Sequence, residues 1–297
     1  VQETLDSAID ERAEIENRVE QILEERVSAA LRSLDIPADL PIFDGFAPVW
    51  PPVAVELGEP PHVLAVSPRE RIDLLESDLL DPDLATEELL RAEAEHDDQR
   101  FSALVEDTGG VGTYPSNIRH RSSYSDLLQT VAHEWAHQYL AFYPLGFNYF
   151  DDNELRTLNE TVADVIGEEV GARGEDMFPL DEPALRPVQA TVDFRETMRA
   201  LRLEVDDLLA AGHIEAAERR MEEVRQELAE DGIFIRKINQ AYFAFHGSYG
   251  GAPQSSSPIG PKVAELRGSV ATLRDFLRLV QDVTSEGDLD AAIAEAT

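Results

Sequence analysis

An H-E-x-x-H motif at residues 133–137 constrains the fold of this chain more than any other feature of its sequence. If the segment is helical, His133 and His137 lie one turn apart on the same face, with the carboxylate of Glu134 beside them. Two imidazoles at this spacing are typical zinc ligands, and the glutamate has the chemistry of a general base. The sequence therefore predicts a metal-binding helix that begins near Ser123 or Ser125 and ends before the Pro-Leu-Gly segment at 144–146.

A second predicted helix, over about 153–170, offers a third ligand. It carries Glu160, with Asn159 before it and Asp164 one helical turn beyond it. A catalytic zinc site has three protein ligands and keeps one position for water. The two histidines and Glu160 are thus predicted to hold one catalytic Zn²⁺. Asp164 is predicted to accept a hydrogen bond from a ligand histidine, and Asn159 is predicted to support the ligands in the same way.

The H-E-x-x-H motif followed by N-E-x-x-A-D at 159–164 resembles the gluzincin metallopeptidases, the thermolysin-like group. The resemblance covers about residues 102–171, and the later G-S-Y-G segment at 247–250 also looks similar to bacterial peptidases of that clan. It implies that zinc is bound by the two histidines and Glu160, and that Asp164 lies beside a ligand.

The resemblance also implies an edge strand above the metal-binding helix, which pairs with extended substrate. The sequence offers this strand at 111–114, so that Gly112, Thr113 and Tyr114 are candidate substrate-binding residues. An ordinary core strand is the alternative.

Gluzincins use a Tyr or His side chain to stabilise the oxyanion of the tetrahedral intermediate. Tyr242, His246 and Tyr249 recur at helical spacing, and either His246 or Tyr249 is predicted to be this donor. An aromatic core stripe is the alternative. Arg119 and His120, just before the metal-binding helix, are further candidates.

These observations predict a zinc-dependent peptidase acting on a peptide or protein substrate. Zinc would lower the pKa of a water molecule, and Glu134 would take its proton as the hydroxide attacks the peptide carbonyl. The alternative is a catalytically inactive zinc-binding or helical scaffold protein that binds a partner through its N-terminal helix. The intact Glu134 argues against it, because a purely structural site needs no base.

The hydrophobic periodicity predicts a predominantly helical α+β fold. A small mixed β-sheet would lie over the metal-binding helix, and a helical subdomain would form the C-terminal part. The predicted parts are an N-terminal amphipathic helix or arm at 1–36, a catalytic core at 37–172 and a helical subdomain at 173–297.

Within these parts, the patterns predict strands, helices and linkers as follows. The strands are at 53–57, 63–66, 101–106 and 111–114. The first helix is predicted at about 5–34, and a second starts at Ser67-Pro68. Two more are predicted at about 86–100 and at about 153–170, and Gly171 is predicted to end the last of these. A Pro-containing linker is predicted at about 178–187, then a helical pattern broken at Gly212 and running to Asp231, and a last helix at about 273–284 followed by a frayed tail.

Charge and composition exclude several classes of partner. With 60 acidic and 25 basic residues, the formal charge of −35 repels nucleic acids and anionic lipid surfaces. The absence of cysteine excludes disulfides, thiolate ligands and a cysteine nucleophile. No run of 18 apolar residues is present, so no membrane span is predicted.

The compartment and the oligomeric state are open at this point. Because the chain begins at Val1, we expect that a signal peptide or membrane anchor has been removed, which favours an exported or membrane-tethered extracytoplasmic protein.

Overall fold

The structure is a computed structural model that describes residues 2–36, 49–120, 122–180 and 192–297. These residues form a predominantly helical α+β fold, which confirms the predicted fold class. The helices are α1 (Gln2–Ser33), α2 (Thr86–His96), α3 (Tyr124–Leu140), α4 (Pro144–Phe147), α5 (Asn153–Met177), α6 (Phe194–Ala210), α7 (Ile214–Glu230), α8 (Gln240–His246), α9 (Ile259–Ser269), α10 (Leu273–Val280) and α11 (Glu286–Ala296). The strands are β1 (Val55–Gly58), β2 (His62–Pro68), β3 (Glu76–Leu80), β4 (Phe101–Asp107), β5 (Gly110–Val111) and β6 (Ser116–Arg119).

The strands form two small sheets rather than one. In the first, of order β1-β6-β5, β6 pairs parallel with β1 and antiparallel with β5. In the second, of order β3-β2-β4, both pairings are antiparallel. The mixed sheet is the one that lies on the metal-binding helix, since β5 and β6 both contact α3.

Strand β5 is shorter than predicted. It pairs with β6 through Gly110 and Val111 alone, whereas Thr113 and Tyr114 continue as irregular chain. The segment still lies at the edge of its sheet. The predicted strand at 111–114 is therefore correct in position and wrong in extent.

Two main hydrophobic cores hold the molecule together. The first surrounds α3 and α5 and includes residues of α1, β1, β6 and α9 to α11. Trp135 is fully buried there and donates its indole N–H to the carbonyl oxygen of Pro51 at 2.8 Å. The second core lies between one face of the β2–β4 pair and helices α6, α7 and α8. The predicted boundaries between the three parts of the chain lie after residues 36 and 172. The first core includes residues from before and after each of these boundaries, and the division into three parts stays a prediction.

Helices α3 and α5 approach each other closely at two glycines of α5. A Cβ at Gly167 would lie 2.9 Å from the carbonyl oxygen of Gln129 and 3.1 Å from the Cβ of His133. At Gly171 it would lie 2.9 Å from the Cα of Gln129. The prediction that Gly171 ends the helix is wrong for this reason: the glycine is needed for close packing, and α5 continues to Met177.

Three other local predictions are corrected. No helix starts at Ser67-Pro68, because both residues belong to β2 and the Ser67 hydroxyl accepts a hydrogen bond from the backbone N–H of Asp73. Helix α2 ends at His96 rather than near 100, since Asp98 turns the chain by accepting the N–H groups of Arg100 and Phe101.

The tail after the last predicted helix is also ordered rather than frayed. Residues 286–296 form α11, whose Leu289 and Ala292 side chains are buried in the first core. Most of the linker predicted at 178–187 lies outside the described residues. In the described part of the chain, no helix has the length and apolar character needed to cross a membrane.

Candidate metal centre

The H-E-x-x-H motif lies in the C-terminal half of α3, which starts where it was predicted. The Ser123 side chain caps this helix by accepting the N–H of Asp126. The Nε2 atoms of His133 and His137 are 3.0 Å apart, as one helical turn allows. From α5, the Oε2 atom of Glu160 reaches to 3.5 Å from each of these nitrogens. The three residues predicted as ligands therefore converge on one point between the two helices.

Their spacing fits a tetrahedral ion. Ligand atoms about 2.0 Å from a tetrahedral zinc are separated by about 3.3 Å, which is close to the three distances here. Moreover, the Glu160 Oε2 atom is buried and has no hydrogen-bond partner. A buried carboxylate oxygen without a partner is costly, and a cation bound between the three atoms would satisfy it. The donor set of two imidazoles and one carboxylate is also that of a catalytic zinc site.

The outer nitrogens of both histidines are already engaged. The Nδ1 atom of His137 lies 2.8 Å from the Asn159 Oδ1 atom, and that of His133 lies 3.1 Å from the Asp164 carboxylate. Both partners can accept a hydrogen bond from Nδ1–H, and with an ion bound this would leave each Nε2 lone pair directed inward. Asn159 and Asp164 thus lie beside the two histidines, and their supporting role stays a prediction.

The site is strongly negative and poorly solvated. Burial alone would lower the pKa of His133, but its contacts with Asp164 and Glu160 and the charge of Glu134 raise that pKa well above its ordinary value. Burial would raise the pKa of Glu160, yet the two imidazoles hold it well below its ordinary value. The negative field that raises the pKa of the imidazole would also stabilise a divalent cation.

Glu134 lies next to the three ligands without belonging to them. It is buried, and burial raises the pKa of its carboxyl group. Its side chain lies directly under β5, where a Cβ at Gly110 would be 2.7 Å from Glu134 Oε1. A carboxylate with a raised pKa is suited to accept a proton near neutral pH.

The edge segment runs along the top of this site. A Cβ at Gly112 would lie 3.1 Å from the Cβ of His137 and 3.4 Å from Glu134 Oε2. The next residue, Thr113, is held to α3 because its carbonyl oxygen accepts a hydrogen bond from the side chain of Gln138. Tyr114 is 60% exposed at the end of the segment. Only a backbone without side chains at 110 and 112 can approach the metal-binding helix this closely.

Two tyrosines border the centre, and one of them was not predicted. The ring of Tyr249 lies 6.3 Å from the ring of His133, and the charge of Glu160 together with burial raises its pKa well above the ordinary value. The unpredicted residue is Tyr149, whose hydroxyl donates to Glu160 Oε1 at 2.5 Å. Tyr149 lies in an irregular segment between α4 and α5, so no periodic pattern pointed to it.

His246 lies elsewhere, contrary to the prediction that it could be the oxyanion donor. Its ring packs against Tyr242 at 4.3 Å, and its Nε2 atom is 4.0 Å from the Glu106 carboxylate. Helix α8 ends at His246 with Gly247 as its C-cap, and Tyr249 follows in the turn. The helical spacing of these aromatics therefore does not place them on one face.

The other two candidate donors, Arg119 and His120, are engaged at the ends of strands. Arg119 donates to the carbonyl oxygen of Thr108 at 3.0 Å and to Asp107 at 3.3 Å. The His120 ring lies 3.2 Å from the carbonyl oxygen of Gly58. Both side chains hold the ends of neighbouring strands together.

Comparison with protein-family models, with curated proteins and with solved structures found no match to this chain. The case for a function therefore depends on the arrangement of the residues themselves.

Proposed function

We propose that the protein is a zinc-dependent peptidase whose single metal ion is held by His133, His137 and Glu160. The observation that carries this proposal is the buried, unpartnered Oε2 atom of Glu160, which faces two imidazole nitrogens at 3.5 Å. The resemblance of the two motifs to the gluzincins supports the same assignment.

When bound, zinc would lower the pKa of a water molecule and act as a Lewis acid at the substrate carbonyl. Three protein ligands leave a tetrahedral ion one position for solvent or substrate. Tyr149 donates a hydrogen bond to Glu160 Oε1, so the oxygen without a partner, Oε2, is the one that would bind the ion.

Glu134 would remove the proton from the attacking water, and its burial in a dry site supports this role. Tyr249 would donate a hydrogen bond to the oxyanion that forms on the substrate carbonyl. Its hydroxyl keeps its proton at neutral pH, and the charge of Glu160 together with burial raises its pKa further above the ordinary value. Within the described residues, this hydroxyl makes no hydrogen bond that would compete with such a role.

A peptide is the substrate that best fits the surface above the metal centre. Among the described residues, strand β5 pairs with β6 on one side only, so its other edge offers backbone hydrogen-bonding groups to an extended chain. The glycines at 110 and 112 keep this edge close to Glu134 and His137. An extended peptide added to β5 would thus lie across the metal centre.

The experiment that tests the proposal replaces Glu134 by Gln and compares zinc content with cleavage of a peptide library. We expect the variant to retain about one zinc per chain and to lose at least 100-fold in cleavage rate, since general-base catalysis contributes about 10²–10⁴-fold. Glu168→Gln on the exposed face of α5 is the control for the change of charge. A Glu134→Gln variant with unchanged cleavage would exclude this mechanism, and a wild-type protein that binds zinc but cleaves nothing would favour the inactive scaffold.

A further inference from the structure

A cavity lies between α2, the end of β4 and the segment that leads into α8, away from the candidate metal centre. Its volume is about 480 Å³, which is within the range of small-molecule sites. The lining residues used below are Leu89, Leu90, Glu106, Ile233, Phe234 and His246. None of them belongs to the metal centre, so this cavity is a separate candidate site.

The walls of the cavity combine large apolar side chains with a few polar groups, and the cavity is partly open to water. Phe234 is 84% exposed and Leu90 is 49% exposed at its border, and the branched side chains of Leu89 and Ile233 continue the wall. Large apolar side chains grouped around a concavity are typical of a surface that binds an apolar group.

Two polar residues, Glu106 and His246, lie together beside these apolar side chains. Glu106 follows Leu104 at a spacing of two on β4, and therefore points to the face of the strand that packs on α8. Within the part of the chain that the structure describes, the nearest cationic or imidazole nitrogen to its carboxylate is His246 Nε2 at 4.0 Å, which is too long for a hydrogen bond. The side chain of Glu106 is 25% exposed. Its charge is thus neither fully solvated nor paired at hydrogen-bond distance.

The other charged groups that border the cavity already have partners. Arg236 donates to the Glu93 carboxylate and to the carbonyl oxygen of Val105. Asp107 contacts His62 at 2.7 Å and Arg119 at 3.3 Å. The charge of Glu106 also contributes to the raised pKa of Arg236, but among the described residues its carboxylate accepts no hydrogen bond. It is therefore the acidic group available to a ligand, and the overall charge of −35 adds to its attraction for a cation.

We propose that this cavity binds a small organic ammonium ion, with its charged nitrogen on Glu106 and His246 and its apolar group against Leu89, Ile233 and Phe234. The ammonium would donate one hydrogen bond to the carboxylate and one to the imidazole. An aromatic ring or a short branched chain has the size and polarity of the remaining space. This site is independent of the metal centre and of the peptidase activity proposed above.

The test uses the full chain and two probes of the same shape, phenethylammonium and 2-phenylethanol, followed by NMR titration. We expect phenethylammonium to saturate with shifts at residues 106, 233 and 246, and to bind at least tenfold more tightly than the alcohol, because a charge-assisted hydrogen bond is stronger than a neutral one. Glu106→Gln should remove this preference. Glu95→Gln, an exposed acid on α2, should keep it.

Phe234→Ala is the second variant, and its exposed position makes a folding defect unexpected. It should weaken both probes by a similar factor, since it removes part of the apolar wall. Equal binding of the two probes, an unchanged preference in Glu106→Gln, or unchanged affinities in Phe234→Ala would each overturn the proposal.

Discussion

The proposed metal ligands and the groups that surround them are held by two different kinds of backbone. His133, His137 and Glu160 lie on α3 and α5, two long helices packed against each other in the first hydrophobic core. Tyr149, Tyr249 and β5 lie in turns or in a strand of two residues. The helix pair fixes the geometry of the metal centre, whereas short segments at its rim bring the groups that would meet a substrate.

If the proposed function is right, this difference predicts that binding of the metal and turnover of the substrate can be changed separately. Changes on the helix pair should alter metal affinity. Changes at the rim should alter catalysis while leaving the metal in place. Four substitutions test this separation.

The largest effect is expected for Glu160→Ala on α5. It removes one of the three metal ligands, so we expect the zinc dissociation constant to rise by more than about 100-fold, beyond the 10–100-fold typical of residues that only orient a ligand. Competition with a chromophoric chelator measures this constant. Glu168→Ala, two turns further on the exposed face of the same helix, is the matched control and should bind zinc like the wild type.

The next effect concerns the rim. Tyr249→Phe removes one hydroxyl, and we expect kcat on a peptide substrate to fall by about 100-fold, as for the loss of one oxyanion donor. The zinc dissociation constant should stay the same, because this hydroxyl contacts no ligand atom within the described residues. If Tyr249→Phe also lost zinc, the rim residues would affect metal binding as well as catalysis, and the proposed separation would be wrong.

Gly167→Ala tests the close packing of α3 and α5. The new Cβ would lie 2.9 Å from the Gln129 carbonyl oxygen and 3.1 Å from the Cβ of His133, so the helices must separate. We expect a loss of about 1–3 kcal/mol in the free energy of unfolding, together with weaker zinc binding. Urea denaturation of the metal-free protein measures the first quantity.

Gly268→Ala on α9 is the control for this substitution, because a Cβ there meets no atom within 4 Å. It should leave stability unchanged or raise it by about 0.4–1 kcal/mol. If Gly167→Ala behaved like this control, the close helix contact would have no energetic role.

The smallest effect is expected for Tyr149→Phe, a rim residue that contacts a ligand. Loss of the hydroxyl leaves Glu160 Oε1 without its donor, and we expect zinc affinity to fall by about tenfold. The same chelator competition measures it. A tenfold loss would show that Tyr149 supports metal binding, as the residues of α3 and α5 do, although it lies in a turn at the rim of the site. An unchanged affinity would show that the hydrogen bond does not support the ligand.

The features that were predicted from the sequence are those that follow from the spacing of residues along a helix. The four-residue step from His133 to His137 and the placement of Glu160 and Asp164 on a second helix required only the geometry of an α-helix. The Ser123 cap and the alternation of apolar residues set the limits of the elements well enough to predict a helical α+β fold.

What the sequence did not predict depends on contacts between distant segments. Gly171 looks like a helix end, but it lies where Gln129 of another helix needs room. His246 and Tyr249 appear to share a face, yet the helix stops between them. Tyr149 had no local signal, because its partner Glu160 lies on the next helix and the intervening turn decides whether they meet.

The most direct test of the central claim is zinc K-edge X-ray absorption of the purified, zinc-loaded chain. We expect one zinc per chain with about four nitrogen and oxygen neighbours at roughly 2.0–2.1 Å, including multiple scattering from two imidazoles. His133→Ala should remove the signal of one imidazole. A spectrum with about six oxygen neighbours and no imidazole contribution, unchanged in His133→Ala, would contradict it.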